Sequence, residues 1–144
     1  METWNEKTTL GISIILTVLL VASTIFAYTE EQASTGKTLF EANCSVCHGA
    51  DARGGVVPEK FGKLAGQKAP PLAGPGALPG MENAAQVYQF AKTNMPANNP
   101  GSLKPNEYLD IVAFALQANG IPPDNHPLTP ESAKKIKLSG SKKE

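Results

Sequence analysis

Both cysteines of the 144-residue chain lie in one pentapeptide, Cys44-Ser45-Val46-Cys47-His48, which constrains the fold more than any other feature. The pattern C-x-x-C-H is the attachment signature of c-type haem. Thiols at this spacing can each form a thioether to one of the two vinyl groups of the porphyrin, and His48 follows as the proximal ligand of the iron. The motif therefore predicts one covalently attached haem c, held by Cys44 and Cys47.

The same cysteines could instead form a redox-active disulfide or bind a metal. A thioredoxin-like C-x-x-C needs no adjacent histidine and is found near a βαβ pattern, which this sequence lacks. A structural zinc site takes four ligands, whereas the whole chain contains two Cys and two His. The second histidine, His126, lies far downstream in a proline-rich stretch. Both alternatives therefore fit the motif less well than haem does.

A long uncharged apolar run lies close to the N-terminus. Residues 10–28 read LGISIILTVLLVASTIFAY, and a helix of this length spans roughly 28 Å, close to the hydrocarbon thickness of a bilayer. Trp4 lies before the run and Tyr28 is its last residue, as expected of interfacial aromatic residues. We therefore predict a transmembrane signal anchor over residues 10–28. A buried core helix would need polar residues at helical spacing. A cleaved signal peptide would have a shorter apolar region and a better cleavage site than Ile25-Phe26-Ala27.

The charges beside this run predict its orientation. Lys7 is the only basic residue before it, and the positive-inside rule then places residues 1–9 in the cytoplasm. Haem attachment of this type takes place on the outer side of a bacterial inner membrane, which is the side predicted for the rest of the chain. We therefore predict a single-pass protein of the bacterial inner membrane with a periplasmic haem domain.

The sequence after the run divides into three parts. Residues 29–33 are predicted as a linker and residues 34–123 as the haem domain. Residues 124–144 are predicted as a polar, Lys-rich tail that wraps the surface and fades into disorder. The 13 basic and 13 acidic side chains of the chain cancel, which argues against nucleic acid as a partner.

Three helices are predicted in the haem domain. Residues 35–43 form a short helix that leads into the haem motif, and residues 83–94 form a second helix with Asn83 as its N-cap. The third helix begins with Pro105 at N1 and ends at Asn119-Gly120. Residues 49–80, rich in Gly, Pro and Ala, are predicted as a loop that packs against the haem. The apolar stripes of the last two helices are Ala84, Val87, Tyr88 and Ala91, and Leu109, Val112, Ala113 and Leu116.

The iron needs a sixth ligand opposite its proximal histidine, and three methionines and His126 are available. Met1 lies before the apolar run and is out of reach. Met95 is predicted as the ligand, because Asn94-Met95-Pro96 is a stiff, extended segment that ends a helix. A thioether ligand also raises the reduction potential relative to a second histidine. Met81 and His126 are the alternative ligands, and a third interpretation makes Met95 an ordinary core residue.

A cluster of basic residues follows the haem motif. These side chains would form a docking rim beside the exposed haem edge, where positive charge steers an acidic partner. The alternative is a set of scattered solubilising charges offset by Asp51 and Glu59. The four residues are Arg53, Lys60, Lys63 and Lys68.

The chain resembles the class I cytochromes c, in particular the monohaem bacterial type with a retained membrane anchor. The resemblance covers about residues 34–122. It rests on Gly36 and Phe40, CSVCHG at 44–49, APPL at 69–72, NMP at 94–96 and the helix YLDIVAFAL. It implies an all-α fold in which three to four helices surround one covalent haem, preceded here by one transmembrane helix.

The resemblance also implies roles for individual residues. The first and last helices of the domain would cross near Gly36 and Phe40, with Phe114 as the aromatic partner. The Pro70 carbonyl would accept the N–H of the proximal imidazole and so fix its orientation. The haem-binding residues implied are Cys44, Cys47, His48, Pro70 and Met95, with His48 and Met95 as ligands of the iron.

Single-electron transfer on the periplasmic side of the membrane is the predicted function, without an enzymatic activity of the chain itself. The expected partners are membrane-bound redox complexes of a respiratory or photosynthetic chain, as electron donor and acceptor, and membrane lipid around residues 10–28. MPANNPGSL and LQANGIP resemble segments of cytochrome subunits in larger oxidoreductases, so a permanent subunit of such a complex is one alternative. A haem protein with a displaceable sixth ligand, acting as gas sensor or peroxidase, is the other.

Overall fold

A computed structural model of the protein describes residues 27–138. The predicted transmembrane anchor lies outside these residues, apart from Ala27 and Tyr28 at its end. Within residues 27–138, every helix is too short or too polar to cross a membrane.

Helices dominate the described part of the chain, and one short antiparallel sheet lies between them. Two-residue strands β1 (Gly55–Val56) and β2 (Lys68–Ala69) form this sheet inside the predicted loop. A stretch of 3-10 helix over Glu59–Leu64 connects the two strands. Because the two strands contain only two residues each and the other elements are helical, the all-α fold class is confirmed. The helices are α1 (Glu30–Asn43), α2 (Ser45–His48), α3 (Ala84–Asn94), α4 (Pro105–Ala118) and α5 (Pro130–Ala133).

Helix α1 begins five residues before the predicted start at Thr35. The Thr29 side chain accepts the Gln32 N–H at 3.2 Å, and the Gln32 side chain accepts the Thr29 N–H at 3.4 Å. Such a capping box satisfies N–H groups that a helix start leaves unpaired. Residues 29–33, predicted as a linker, are therefore the cap and first turn of α1. This turn contains Ala33 as its only apolar residue, so it carries almost no periodic signal.

Helices α1 and α4 cross with their backbones in direct contact at Gly36. A Cβ added to Gly36 would collide with the carbonyl oxygen of Asp110 and lie 2.9 Å from the amide nitrogen of Ile111. One turn further along α1, the rings of Phe40 and Phe114 pack with centroids 5.2 Å apart. The crossing that the resemblance implied at these residues is confirmed.

Helices α3 and α4 follow the predicted boundaries closely. Asn83 caps α3 by accepting the Gln86 N–H at 3.1 Å, and Pro105 occupies the first turn of α4. Gly120 follows α4 with a φ of 78°, as a residue after a helix C-cap often does. Most of the predicted apolar stripes are buried, namely Ala84, Val87 and Tyr88 of α3 and Leu109, Val112, Ala113 and Leu116 of α4.

The residues just before α1 pack into the domain. Tyr28 is fully buried, and its hydroxyl donates to the carbonyl of Ile121. The Ala27 N–H donates to the Asp124 carboxylate at 2.9 Å, and the Asp124 N–H donates to the Tyr28 carbonyl at 2.8 Å. The expectation that Tyr28 marks the membrane interface is wrong, because its side chain belongs to the protein core.

Residues 124–138 also belong to the domain, which corrects the expectation of a surface tail. Leu128 and Ile136 are each only 2% exposed and join the main hydrophobic core. The Ala84 N–H donates to the Ile136 carbonyl at 3.0 Å, which fixes this segment to the start of α3. Its apolar residues are too widely spaced to give a helical or strand period, so the sequence pattern shows mainly its lysines.

The contact at Gly36 gives a test of the helix crossing. Gly36→Ala forces α1 and α4 apart, and we expect the holoprotein to lose about 3 kcal/mol of stability, at the upper end for overpacking. The loss would be measured by thermal and denaturant unfolding. Ser34→Ala, on the exposed face of the same helix, serves as the control and should change stability by less than about 0.5 kcal/mol. A Gly36→Ala variant as stable as the parent would contradict the close crossing.

Candidate functional site

Helix α1 places the C-x-x-C-H segment at one wall of an apolar cavity. The Cys44 N–H ends α1 by donating to the Phe40 carbonyl at 2.8 Å, and the His48 N–H donates to the Cys44 carbonyl at 3.0 Å. The resulting turn, α2, brings Cys44, Cys47 and His48 to the same cavity wall. Burial, with a smaller contribution from the neighbouring Cys47, raises the pKa of the free Cys44 thiol to about 11.

Two glycines let the backbone approach this turn closely. The Gly54 N–H donates to the His48 carbonyl at 2.9 Å, and Gly54 has a φ of 88°. A Cβ on Gly54 would lie 2.8 Å from the Ala69 carbonyl oxygen, and a Cβ on Gly55 would lie 2.6 Å from the Cys47 carbonyl oxygen. Glycine tolerates both the φ and the contacts. The haem-motif turn and β2 are therefore held at a fixed, short separation.

The His48 ring is oriented by the residue that follows β2. His48 is only 7% exposed, and its Nδ1 lies 2.9 Å from the Pro70 carbonyl oxygen. A carbonyl oxygen can only accept, so Nδ1 carries the proton and donates it. In a neutral imidazole this leaves Nε2 with a free lone pair, which is the form that ligates a metal. The structure thus brings together the pair His48 and Pro70 that the sequence resemblance proposed.

Two methionines line the same cavity, Met81 before α3 and Met95 at its end. The Met95 N–H donates to the Ala91 carbonyl at 2.8 Å, and the Met95 carbonyl accepts the Gly101 N–H at 3.3 Å. The Met81 backbone makes a single such bond, from its N–H to the Leu78 carbonyl at 3.1 Å. Both methionines therefore line the cavity, and the backbone of Met95 is the more firmly held.

Tyr108 of α4 is a site residue that the sequence pattern did not single out. Its ring lines the cavity, its side chain is buried at 2% exposure, and its hydroxyl donates to the Met95 carbonyl at 2.6 Å. In the sequence it is one more aromatic residue of an apolar helix. The one signal that could have indicated its role is its hydroxyl, because a tyrosine buried with an apolar helix needs a hydrogen-bond partner nearby.

The cavity has a volume of about 360 Å³, and its lining is mostly apolar. Covering these apolar walls with an apolar group would lower the free energy, because apolar surface is then removed from water. The residues that line the cavity include two cysteines, one histidine and two methionines. This donor set matches a haem attached through cysteines with nitrogen and sulfur ligands to iron. The residues present therefore fit a covalent haem c. They do not form a closed four-ligand zinc site, and no cluster of three or more His, Cys, Asp or Glu that could hold a metal occurs among residues 27–138.

Comparison with known protein families decides the family. A family model described as cytochrome C oxidase, cbb3-type, subunit III, matches residues 31–114, more than half of the chain. The chain belongs to this family of c-type cytochromes. Its members carry covalently attached haem c, and one haem fits a domain of this size, so the cofactor prediction is confirmed.

Curated relatives show the same likeness over the cytochrome part alone. Thiosulfate dehydrogenase from Allochromatium vinosum is 34% identical over 84 residues, which cover 56% of the cytochrome and 29% of the relative. Thiosulfate dehydrogenase from Psychrobacter arcticus is 34% identical over 88 residues, which cover 59% of the cytochrome and 25% of the relative. The cytochrome thus matches under a third of the length of these curated relatives.

A solved structure shares the fold. The sulfane dehydrogenase SoxCD from Paracoccus pantotrophus superimposes with a TM-score of 0.54 at 24% identity. The superposition covers 81% of this cytochrome and 62% of the SoxCD chain. At this identity the likeness shows a shared fold and nothing about activity.

The other candidate residues of the sequence lie apart from the cavity wall or at its mouth. The exposed His126 ring lies 3.5 Å from the Asp124 carboxylate, and His126 does not line the cavity. Arg53 pairs with Asp51 at 3.8 Å on the surface. Lys68 borders the cavity. The predicted basic rim is therefore divided, because Arg53 is paired with Asp51 whereas Lys68 borders the cavity.

Two glycines with similar φ values test how closely the haem-motif turn is packed. Gly54→Ala and Gly76→Ala both place a Cβ at positive φ, at a cost of roughly 1–2 kcal/mol each. Gly54→Ala also meets the Ala69 carbonyl, whereas a Cβ on Gly76 meets nothing within 4 Å. We expect Gly54→Ala to lower the unfolding free energy of the holoprotein by about 1–3 kcal/mol more than Gly76→Ala. Equal losses in denaturant unfolding would show that the turn is loosely packed.

Proposed function

We propose that this cytochrome transfers single electrons through one haem, attached through Cys44 and Cys47 and ligated by His48 and Met95. The observation that carries the proposal is one apolar cavity with the haem motif on one wall and the firmly held Met95 also lining it. His48 and Met95 are each anchored by a hydrogen bond outside the motif, at 2.9 Å to Pro70 and 2.6 Å from Tyr108. Fixed ligands favour electron transfer, because little has to move when the charge changes.

Residues of the chain would set the ligands and the reduction potential of the haem iron. The haem supplies one-electron chemistry through its iron. The Pro70 carbonyl holds the imidazole of His48 in one tautomer and increases its basicity as a ligand. The apolar lining excludes water, and the Met95 thioether is a softer ligand than a second imidazole. Both effects raise the reduction potential.

Electrons would enter and leave where the cavity meets solvent. Val46 and Phe90 line the cavity and are 45% and 47% exposed, so they give its mouth an apolar surface. Lys68 borders the same cavity, and the Lys60 ammonium lies 5.3 Å from the ring centroid of Phe61, which also lines it. An apolar mouth with positive charges at its edge suits brief contact with an acidic redox partner.

The role of Met95 can be tested against Met81, since both line the cavity. We expect the oxidised protein to show a methionine–iron charge-transfer band and the reduced protein to bind carbon monoxide poorly. Met95→Ala should abolish the band and open the iron to carbon monoxide, whereas Met81→Ala should preserve the wild-type spectrum. Ready carbon monoxide binding by the unmodified protein would instead support a displaceable sixth ligand and a gas-sensor or peroxidase function.

The relatives suggest the kind of reaction this cytochrome serves. Two are named thiosulfate dehydrogenases, and the structural neighbour is a sulfane dehydrogenase. The cytochrome matches only part of each, so we assign it electron transfer to or from an oxidoreductase rather than the oxidation of a substrate. It would act as a carrier between membrane-bound redox complexes or as a fixed subunit of one, in a respiratory or photosynthetic chain.

We also propose that residues 10–26 carry the membrane anchor, with residues 1–9 in the cytoplasm and the haem domain in the periplasm of a bacterium. The support is the uncharged run up to Tyr28, together with a haem attachment that takes place outside the inner membrane. Because Ala27 and Tyr28 pack in the domain, the span would end close to residue 26.

Fractionation of cells that make the full chain tests this anchor. We expect the haem protein in the membrane fraction after a carbonate wash, and we expect added protease to reach it in spheroplasts. As a control, Ile15→Lys combined with Leu19→Lys places two charges in the run and should release the protein or block its export. Recovery of the unmodified protein in the carbonate supernatant would exclude a transmembrane anchor.

A further inference from the structure

We propose that Tyr108 is a positioning residue that closes the ligand loop, defined as residues 95–103, and thereby controls access of other ligands to the iron. The proposal rests on the assignment of Met95 as the sixth ligand. It adds a hydrogen bond that would determine whether the haem iron is closed to other ligands, as in an electron carrier, or open to them. The hydrogen bonds concerned join Tyr108 to Met95 and Leu103 and include no residue of the haem motif.

The Tyr108 hydroxyl connects the two ends of the ligand loop. It donates to the Met95 carbonyl at 2.6 Å and lies 3.4 Å from the Leu103 amide nitrogen, whose N–H it accepts. Inside the loop, the Gly101 N–H donates to the same Met95 carbonyl at 3.3 Å. Of these contacts, the bond from Tyr108 is the shortest and the one that comes from another element, α4.

Burial makes this contact effective. The Tyr108 side chain is 2% exposed, and its ring forms part of the cavity wall. When the loop moves away, the hydroxyl loses its partner, and an unpaired buried polar group is costly. The closed loop is therefore favoured, and it holds in place the Met95 backbone, from which the thioether side chain extends.

The position of α4 makes the arrangement rigid. Tyr108 lies two residues before Asp110, the residue whose carbonyl contacts Gly36 of α1. A shift of Tyr108 away from the loop would therefore have to move the close crossing of α1 and α4 as well. The loop can move more easily than the helix, so ligand release requires breaking the hydroxyl bond.

Tyr108→Phe tests the proposal with imidazole as the probe. The variant keeps the ring and removes the hydroxyl, so imidazole should compete with Met95 more successfully. We expect binding to the oxidised protein to tighten about five- to tenfold, the effect of losing one ordinary hydrogen bond. We also expect a weaker methionine–iron band and a lower reduction potential.

Two other tyrosines provide matched controls. Tyr28→Phe removes a buried hydroxyl that donates to the Ile121 carbonyl, away from the ligand loop. Tyr88→Phe removes the hydroxyl of a buried tyrosine of α3 whose ring faces the Lys92 ammonium at 5.8 Å. Tyr28→Phe should lower stability, and both variants should keep the imidazole affinity and the spectrum of the parent. Equal imidazole affinity in all three variants and the parent overturns the proposal.

A further measurement needs no variant. In the reduced parent protein, the bonded and buried Tyr108 hydroxyl proton should exchange slowly with water and give a resolved NMR resonance. Rapid exchange of this proton would overturn the proposed closure even if Tyr108→Phe did not accumulate as a holoprotein.

The outcomes separate this proposal from the one on which it rests. A parent protein without the methionine–iron band removes both, because Met95 is then not the ligand. A parent with the band and a Tyr108→Phe variant of unchanged imidazole affinity keeps the assignment of Met95 and removes the role of Tyr108.

Discussion

The direct backbone contact between α1 and α4 is the constraint on which the site depends. Gly36 allows the Asp110 carbonyl to lie where any side chain would stand. The end of α1 leads directly into the haem motif, and the first half of α4 carries Tyr108. This close crossing therefore fixes the position of the haem motif relative to Tyr108, whose hydroxyl donates to the Met95 carbonyl. A wider separation of α1 and α4 would change the distance between the haem motif and Tyr108.

The surroundings of His48 and of Met95 in the cavity are stabilised in different ways. On the proximal side, residues 44–55 and 68–70 form a local backbone network in which His48 has its ring bonded at 2.9 Å to Pro70. On the other side, Met95 lies at the end of α3 and depends on a residue of α4 for its shortest bond, at 2.6 Å. The His48 ring is thus itself hydrogen-bonded, whereas the bonds at Met95 hold only its backbone. With the proposed ligands, this difference would let His48 stay bound while Met95 is the ligand that competes with others.

The haem-motif residues and the helices near them could be predicted because their chemistry is local. Cys44, Cys47 and His48 are adjacent in the sequence, and Asn83 and Pro105 mark helix starts by their own side chains. The burial of Leu128 could not be predicted, since its contacts join distant parts of the chain without any period. The role of Tyr108 was hidden for the same reason, because its partner Met95 lies on another element. Membrane insertion of residues 10–26 stays a prediction.

The start of the domain is fastened to the segment that follows α4 through Asp124. Desolvation opposes ionisation of this carboxyl, but the N–H groups of His126 and Ala27 outweigh it and lower its pKa, so it is a carboxylate at neutral pH. Ala27 is therefore already fixed where the proposed span would leave the bilayer. With the proposed anchor, such a short connection would make the height of the haem above the lipid a property of the fold rather than of a flexible linker. Such a cytochrome would meet partners by moving in the plane of the membrane, with its cavity mouth at one set level.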